Sequence, residues 1–167
     1  FNAVSQVRVP TLAAIQGYCI GGGLGLALAC DLRLASDDAS FAIPAARLGL
    51  AYPASATDRL RETVGPSRAK DILFTARRLD AHEAQTIGLV DYVAPVSDFE
   101  HALSHRIASI CDNAPLTLRA AKGVLERTPD RDQAELDGQI AACFTSADYE
   151  EGRLAFAQKR VAKFKGE

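Results

Sequence analysis

Apolar positions change their period near Pro53. Before it, the segment Val7-Arg8-Val9-Pro10-Thr11-Leu12-Ala13-Ala14-Ile15 is almost wholly apolar after Pro10 and predicts a buried strand, covered on both faces as parallel strands are. Gly17 breaks it. Gly21-Gly22-Gly23 then leads into a run of Leu and Ala, Leu24 to Cys30, which predicts a tightly packed helix. Asp31–Ala35 and Ser40–Ile43 predict short strands separated by the turn Ser36-Asp37-Asp38. Strand, glycine turn, helix, strand is an α/β unit. After Pro53 the period approaches that of a helix. Asp58–Val64 predicts a helix stopped at Gly65-Pro66, where a new one starts. Asp80-Ala-His-Glu83 and Ser97-Asp-Phe-Glu100 read as capping boxes, each opening a helix, with a short strand, Gly88–Val93, between them. Helices are then expected over 98–111, 115–127, 131–145 and 148–163, with Pro115, Pro129 and the acidic cluster from Asp148 to Glu151 marking starts.

Composition narrows the class. The chain has 167 residues, 48% of them hydrophobic and 24% charged, which excludes a disordered or collagen-like polymer. Arg8, Asp31 and Arg33 interrupt the longest apolar candidate, so no run reaches the ~18–20 residues that span a bilayer. No basic-then-apolar start of a signal peptide is visible. A net charge of -2 gives no general attraction to nucleic acid or anionic membrane. The four cysteines, Cys19, Cys30, Cys111 and Cys143, form no Cys-x-x-Cys pair; they read as small core residues in a reducing cytoplasm. The chain contains no methionine and begins with Phe1, as a fragment or trimmed chain would. His101 and His105 stand four apart without a third ligand, and no metal site is expected.

The glycine turn carries the candidate chemistry. The first N–H groups of a helix lack internal partners, and the helix dipole adds about half a positive charge there. Glycines let a ligand oxygen approach the backbone, so such a turn suits an anion or a developing oxyanion. A dinucleotide fingerprint fails, because Leu26 stands where its last glycine belongs and Gly25 falls one residue early. The triphosphate loop fails for want of a nearby lysine. On these residues alone, a turn that merely lets strand and helix pack is an open alternative.

The run from Pro10 to Ala35, PTLAAIQGYCIGGGLGLALACDLRLA, strongly resembles the signature of the enoyl-CoA hydratase/isomerase (crotonase) superfamily. The resemblance continues, in order, through Phe41–Pro44, Arg47–Leu50, Thr57–Leu60, Val64–Pro66, Ala84–Val90 and Glu151–Arg160. It implies an α/β fold: a crotonase-like spiral of ββα units over 1–95, followed by a helical trimerisation region over 96–167. It also implies that the N-terminal part of the fold is missing from this chain. Relatives bind acyl-CoA thioesters and stabilise a thioester enolate with two backbone N–H groups. The resemblance gives one donor to Gly22 and the other to a segment upstream of Phe1. It assigns substrate contacts to Gly21, Pro44, Ala45, Arg47 and Leu48, and places Phe156 and Lys159 at the adenine and phosphate end of CoA, often on a neighbouring subunit. CoA enters only as part of the substrate, with no further cofactor, and the implied assembly is a homotrimer or hexamer.

Gly25 and Ala45 depart from the pattern, for they stand where hydratases of the family carry the two glutamates that handle proton and water. Each positioned acid or base contributes roughly 10²–10⁴-fold, so efficient hydration by that pair is not expected. Isomerases that use one glutamate keep the second position, so Ala45 counts against their chemistry as well. Tyr52, with Ser55 nearby, is the candidate replacement: a proton carrier, a group orienting a carbonyl, or an aromatic packed over the acyl tunnel. Arg47 can pair a substrate carboxylate or lie on the surface. Three readings follow: an enoyl-CoA hydratase/isomerase relative with altered acid–base groups, another enolate reaction such as decarboxylation or thioester hydrolysis, and a non-catalytic protein that binds acyl-CoA or a partner.

Overall fold

Two small sheets, not one, are wound by the first part of the chain, as a computed structural model of residues 2–126 and 133–167 describes it. After a short helix α1 (Asn2–Ser5), strands β1 (Leu12–Ile15) and β2 (Tyr18–Ile20) precede α2 (Gly22–Ala27). β3 (Leu32–Ser36) and β4 (Ser40–Ala42) repeat the step. β3 pairs in parallel with β1, and β4 in parallel with β2, so each repeat adds one strand to each sheet. That is the expected spiral of ββα units. The first sheet is completed by parallel β6 (Tyr92–Ala94), giving the order β1-β3-β6. The second is completed by antiparallel β5 (Leu79–Asp80), giving β2-β4-β5.

Helices α3 (Ala45–Leu48), α4 (Ala54–Val64), α5 (Pro66–Thr75) and α6 (Ala81–Thr86) follow the second pair of strands. Gly65 separates α4 from α5 at φ 80°, and Asp80 caps α6 by accepting from the Glu83 N–H at 2.8 Å. The core lies between these helices and the sheets: Leu24, Phe41, Ile43, Leu60, Ile72, Leu79 and Leu89 are buried together. Fully burying a side chain of that size stabilises by about 1.5–3 kcal/mol.

Contacts divide the chain into two units, one running to Val7 and from Thr11 to Ser104, the other comprising Arg8–Pro10 and His105–Glu167. α7 (Phe99–Cys111) crosses the division. The second unit holds α8 (Pro115–Leu125), α9 (Gln133–Phe144) and α10 (Ala147–Gln158).

Several expectations need correction. The first strand begins at Leu12, not Val7, because Arg8–Pro10 belongs to the second unit: the Lys122 ammonium donates to the Val9 carbonyl at 3.0 Å, and Arg8 pairs with Glu135 at 3.6 Å. α2 covers Gly22–Ala27, starting inside the glycine run and stopping short of Cys30. Ser97 caps nothing; a 3₁₀ turn, Val96–Asp98, precedes α7, and the Val96 N–H donates to Asp37 at 3.1 Å. The last helix stops at Gln158, because Lys159 turns the chain at φ 53° and the tail folds back. Cys111 is exposed rather than packed. The start assigned to Pro129, like that at residue 131, lies outside the described residues. No helix of the described residues is long and apolar enough to cross a membrane.

Candidate functional site

β2 ends at Ile20 and the chain turns at once. The Gly21 N–H donates to the Ala42 carbonyl at 2.8 Å, which ties the turn to the end of β4. Gly21 has φ 54° and ψ −113°, a conformation natural only to glycine, and it precedes α2 without any side-chain cap. Its carbonyl accepts from the Gly25 N–H at 3.0 Å and from the Tyr52 hydroxyl at 3.0 Å. The amides of Gly22, Gly23 and Leu24 open the helix, where no intrahelical acceptor exists for them. Gly22 and Gly23 are exposed, and a Cβ added to either meets nothing within 4 Å. Exposed glycines with no side chain let an oxygen approach the backbone closely.

The flanking residues come from the end of β4. Half-buried Pro44 packs beside Gly21, 3.9 Å from where a Cβ would stand, and starts the single turn α3. Its carbonyl accepts from the Arg47 and Leu48 amides, and Gly49 ends the turn at φ 69°. Ala45 is 7% exposed and belongs to the main core; Gly25 is also buried. Positions 25 and 45 are therefore apolar, with no carboxylate at either. Arg47 and Leu48 are exposed, as is Ser55.

Tyr52 packs its ring against the core while its hydroxyl donates to Gly21. Burial pushes the phenol up to about 12, with the neighbouring Cys19 thiol adding to the rise. Cys19, on β2, is itself pushed up to about 11 by burial. Both groups stay protonated at neutral pH. Cys19 is the small core residue that the sequence predicts, inward on β2 beside exposed Tyr18, and its neighbour there is Tyr52.

Other signature residues hold the frame. Asp31 accepts from both the amide and the hydroxyl of Thr11, at 2.6 and 2.8 Å, while its own N–H donates back to that hydroxyl. Buried Arg33 donates to the Leu89 and Cys30 carbonyls and pairs with Asp91 at 3.0 Å. These bonds lock β1, β3 and the approach to β6.

Phe156 and Lys159 lie in the second unit. Phe156 is 88% exposed and lines an apolar cavity of about 880 Å³ with Leu125, Phe144 and Phe164. Lys159 is exposed at the end of α10. Beyond it the tail is strapped down: Glu151 accepts from the Arg160 guanidinium at 2.6 and 2.7 Å and from the Lys163 amide. Buried Asp148 accepts from the Lys165 and Gly166 amides, and the Phe164 ring sits 3.5 Å from where a Gly152 Cβ would stand.

The fold is that of the crotonase superfamily. An enoyl-CoA hydratase from Bacillus anthracis superimposes with a TM-score of 0.92 at 34% identity, covering 99% of this chain and 66% of its own. The profile for enoyl-CoA hydratase/isomerase matches residues 1–167, and the chain belongs to that family of hydratases and isomerases. An enoyl-CoA isomerase/hydratase of Mycosarcoma maydis is 38% identical over 168 residues, 98% of this chain and 61% of its own length. A short-chain-enoyl-CoA hydratase of Clostridium acetobutylicum is 32% identical over 167 residues, 96% of this chain and 63% of its own. The chain thus spans a little over three fifths of the length of these two curated relatives.

Proposed function

We propose that the protein processes acyl-CoA thioesters, with the Gly22 N–H as one donor to the thioester carbonyl as it gains enolate charge. The observation that carries this reading is the turn after β2, where exposed glycines open a helix whose first amides have no intrahelical acceptor, on a chain of this family. Preorganised donors aimed at developing charge are commonly the largest single catalytic contribution, and they act on any reaction that passes through the enolate. Gly21, Pro44, Ala45, Arg47 and Leu48 line the approach to the acyl group in this reading; Phe156 and Lys159 serve the adenine and phosphate end of CoA. CoA arrives with the substrate and no further cofactor is called for.

Buried, apolar Gly25 and Ala45 favour a second reading of the reaction. With no carboxylate at either place, decarboxylation or thioester hydrolysis draws on the enolate-stabilising turn without the usual hydration pair. A protein that binds acyl-CoA without turning it over is the third reading. Replacing Gly25 and Ala45 by Glu separates the first from the others, since a gain in hydration marks a decayed hydratase.

Assembly as a homotrimer or hexamer belongs to the same proposal. Leu125, Phe144, Phe156 and Val161 are all more than half exposed in the second unit, and such apolar surface is covered in assembled proteins. Light scattering is expected to show trimers or larger species at micromolar concentration; a clean monomer contradicts this. Four cysteines, none in a disulfide among the described residues, suit a reducing compartment, and we place the protein in the cytoplasm. Calorimetry tests substrate binding. Acetyl-CoA or a longer acyl-CoA is expected to give saturable heat, and absence of heat across several chain lengths contradicts the proposal.

A further inference from the structure

The Tyr52 hydroxyl reaches the peptide unit at the centre of the proposed function by donating to the Gly21 carbonyl. Its acceptor, the Gly21 carbonyl, shares one planar peptide unit with the Gly22 N–H, and no cis peptide occurs among the described residues. In a trans peptide the C=O and N–H point in opposite directions, so a hold on the oxygen sets the direction of the N–H. Gly21, at φ 54° and ψ −113°, carries no side chain that would restrain this peptide. Two donors hold its oxygen instead. One is the Gly25 N–H within the turn; the other is Tyr52, contributed from 31 residues away on a ring anchored in the core. Each bond to that oxygen also polarises the amide, which makes the Gly22 N–H a stronger donor.

We propose that Tyr52 is a positioning residue, whose hydroxyl fixes the Gly21–Gly22 peptide and strengthens the Gly22 N–H toward a thioester carbonyl. The proposal rests on the function given above, and it differs from a proton-carrier role in that no proton leaves the phenol. The burial that raises Tyr52 keeps the hydroxyl a donor throughout the neutral range. Cys19, protonated beside it, adds no competing anion there.

Infrared difference spectroscopy of acetyl-CoA, ¹³C-labelled at its carbonyl and bound to the protein, reads the strength of the donor directly. In the parent protein the carbonyl band is expected to fall below that of free acetyl-CoA. In Tyr52→Phe, which keeps the ring and its packing, the fall is expected to be smaller by roughly 10–30%, the share by which one hydrogen bond strengthens the next. Glu62→Gln, exposed on α4, is expected to match the parent. An equal fall in parent and Tyr52→Phe overturns the positioning role while leaving the Gly22 donor standing. No fall in the parent overturns the Gly22 donor, and the positioning role with it. A third outcome concerns deuterium exchange at the α-carbon: if its pH profile loses a limb in Tyr52→Phe, the phenol carries the proton and the positioning role is overturned.

Discussion

The unit that carries the glycine turn and the unit built from the last helices solve opposite problems. In the first, Leu24, Phe41, Ile43, Leu60, Ile72 and Leu89 are sealed completely, and at the turn it is the glycines Gly22 and Gly23 that are exposed. In the second, of the large apolar side chains only Leu136 is sealed among the described residues, while Leu125, Phe144, Phe156 and Val161 are bare. A site that works through backbone N–H groups needs a stiff, self-sufficient frame, because its donors cannot adjust by rotating a side chain. A surface that leaves its large side chains uncovered is suited to contact. On the proposed function, the enolate chemistry falls to the first unit and association to the second.

Substitutions break this comparison on a graded scale. Phe41→Ala, in the first core, is expected to cost about 3–5 kcal/mol in urea unfolding, whereas Leu125→Ala, 86% exposed in the protomer, is expected to weaken assembly and to change the stability of the dissociated protomer by no more than about 0.5 kcal/mol. Equal costs would erase the contrast between the units. Asp91→Ala removes the charged partner of buried Arg33 and is expected to cost about 3 kcal/mol by the same measurement. That figure sits at the low end for a broken buried pair, since the Leu89 and Cys30 carbonyls remain as acceptors.

Gly21→Ala is expected to cost about 1–3 kcal/mol through backbone strain alone. Its new methyl group finds Pro44 at 3.9 Å, an ordinary contact, so the loss comes from φ 54° and not from crowding. Thermal unfolding of this variant beside Gly22→Ala, which has neither the positive φ nor a neighbour within 4 Å, checks that assignment.

The smallest effect concerns the second unit and pH. Bonds from Arg160 and the Lys163 amide hold the Glu151 carboxyl at about 2, against an ordinary 4.5. A lowered pKa stabilises the folded tail above pH 4.5, and that contribution disappears as pH falls through about 2. The Lys163 amide resonance is expected to titrate with a midpoint near 2, and Glu151→Gln is expected to remove the step.

Much of the first unit was legible in the sequence because its boundaries are made locally. Gly65-Pro66 stops one helix and starts the next, Asp80 caps α6 within three residues, and the triple glycine lies between a strand and a helix. What escaped depends on partners distant in sequence. β5 is two residues long and exists because Phe41 pairs with Leu79, a match no period of two could reveal. The shorter last helix follows from Asp148 and Glu151 catching backbone amides twelve to eighteen residues later. At the candidate site, Gly21, Gly22 and the apolar residues at 25 and 45 could be read directly. Tyr52 could be named but not given its place, since its acceptor is a backbone carbonyl 31 residues earlier. Ser97 shows the converse: a local capping pattern that goes unused, since it falls inside the 3₁₀ turn Val96–Asp98 that precedes α7.

The most direct test of the central claim, an enolate-stabilising turn without the hydration pair, is the rate of crotonyl-CoA hydration beside a relative that bears both glutamates. On the proposed function the Gly22 donor, with the second donor from upstream of Phe1, supports slow turnover, and losing one positioned acid or base costs roughly 10²-fold, so a deficit of at least about 100-fold is expected. Hydration at the rate of the glutamate-bearing relative would contradict the account, by showing that catalytic groups other than those at 25 and 45 carry the reaction.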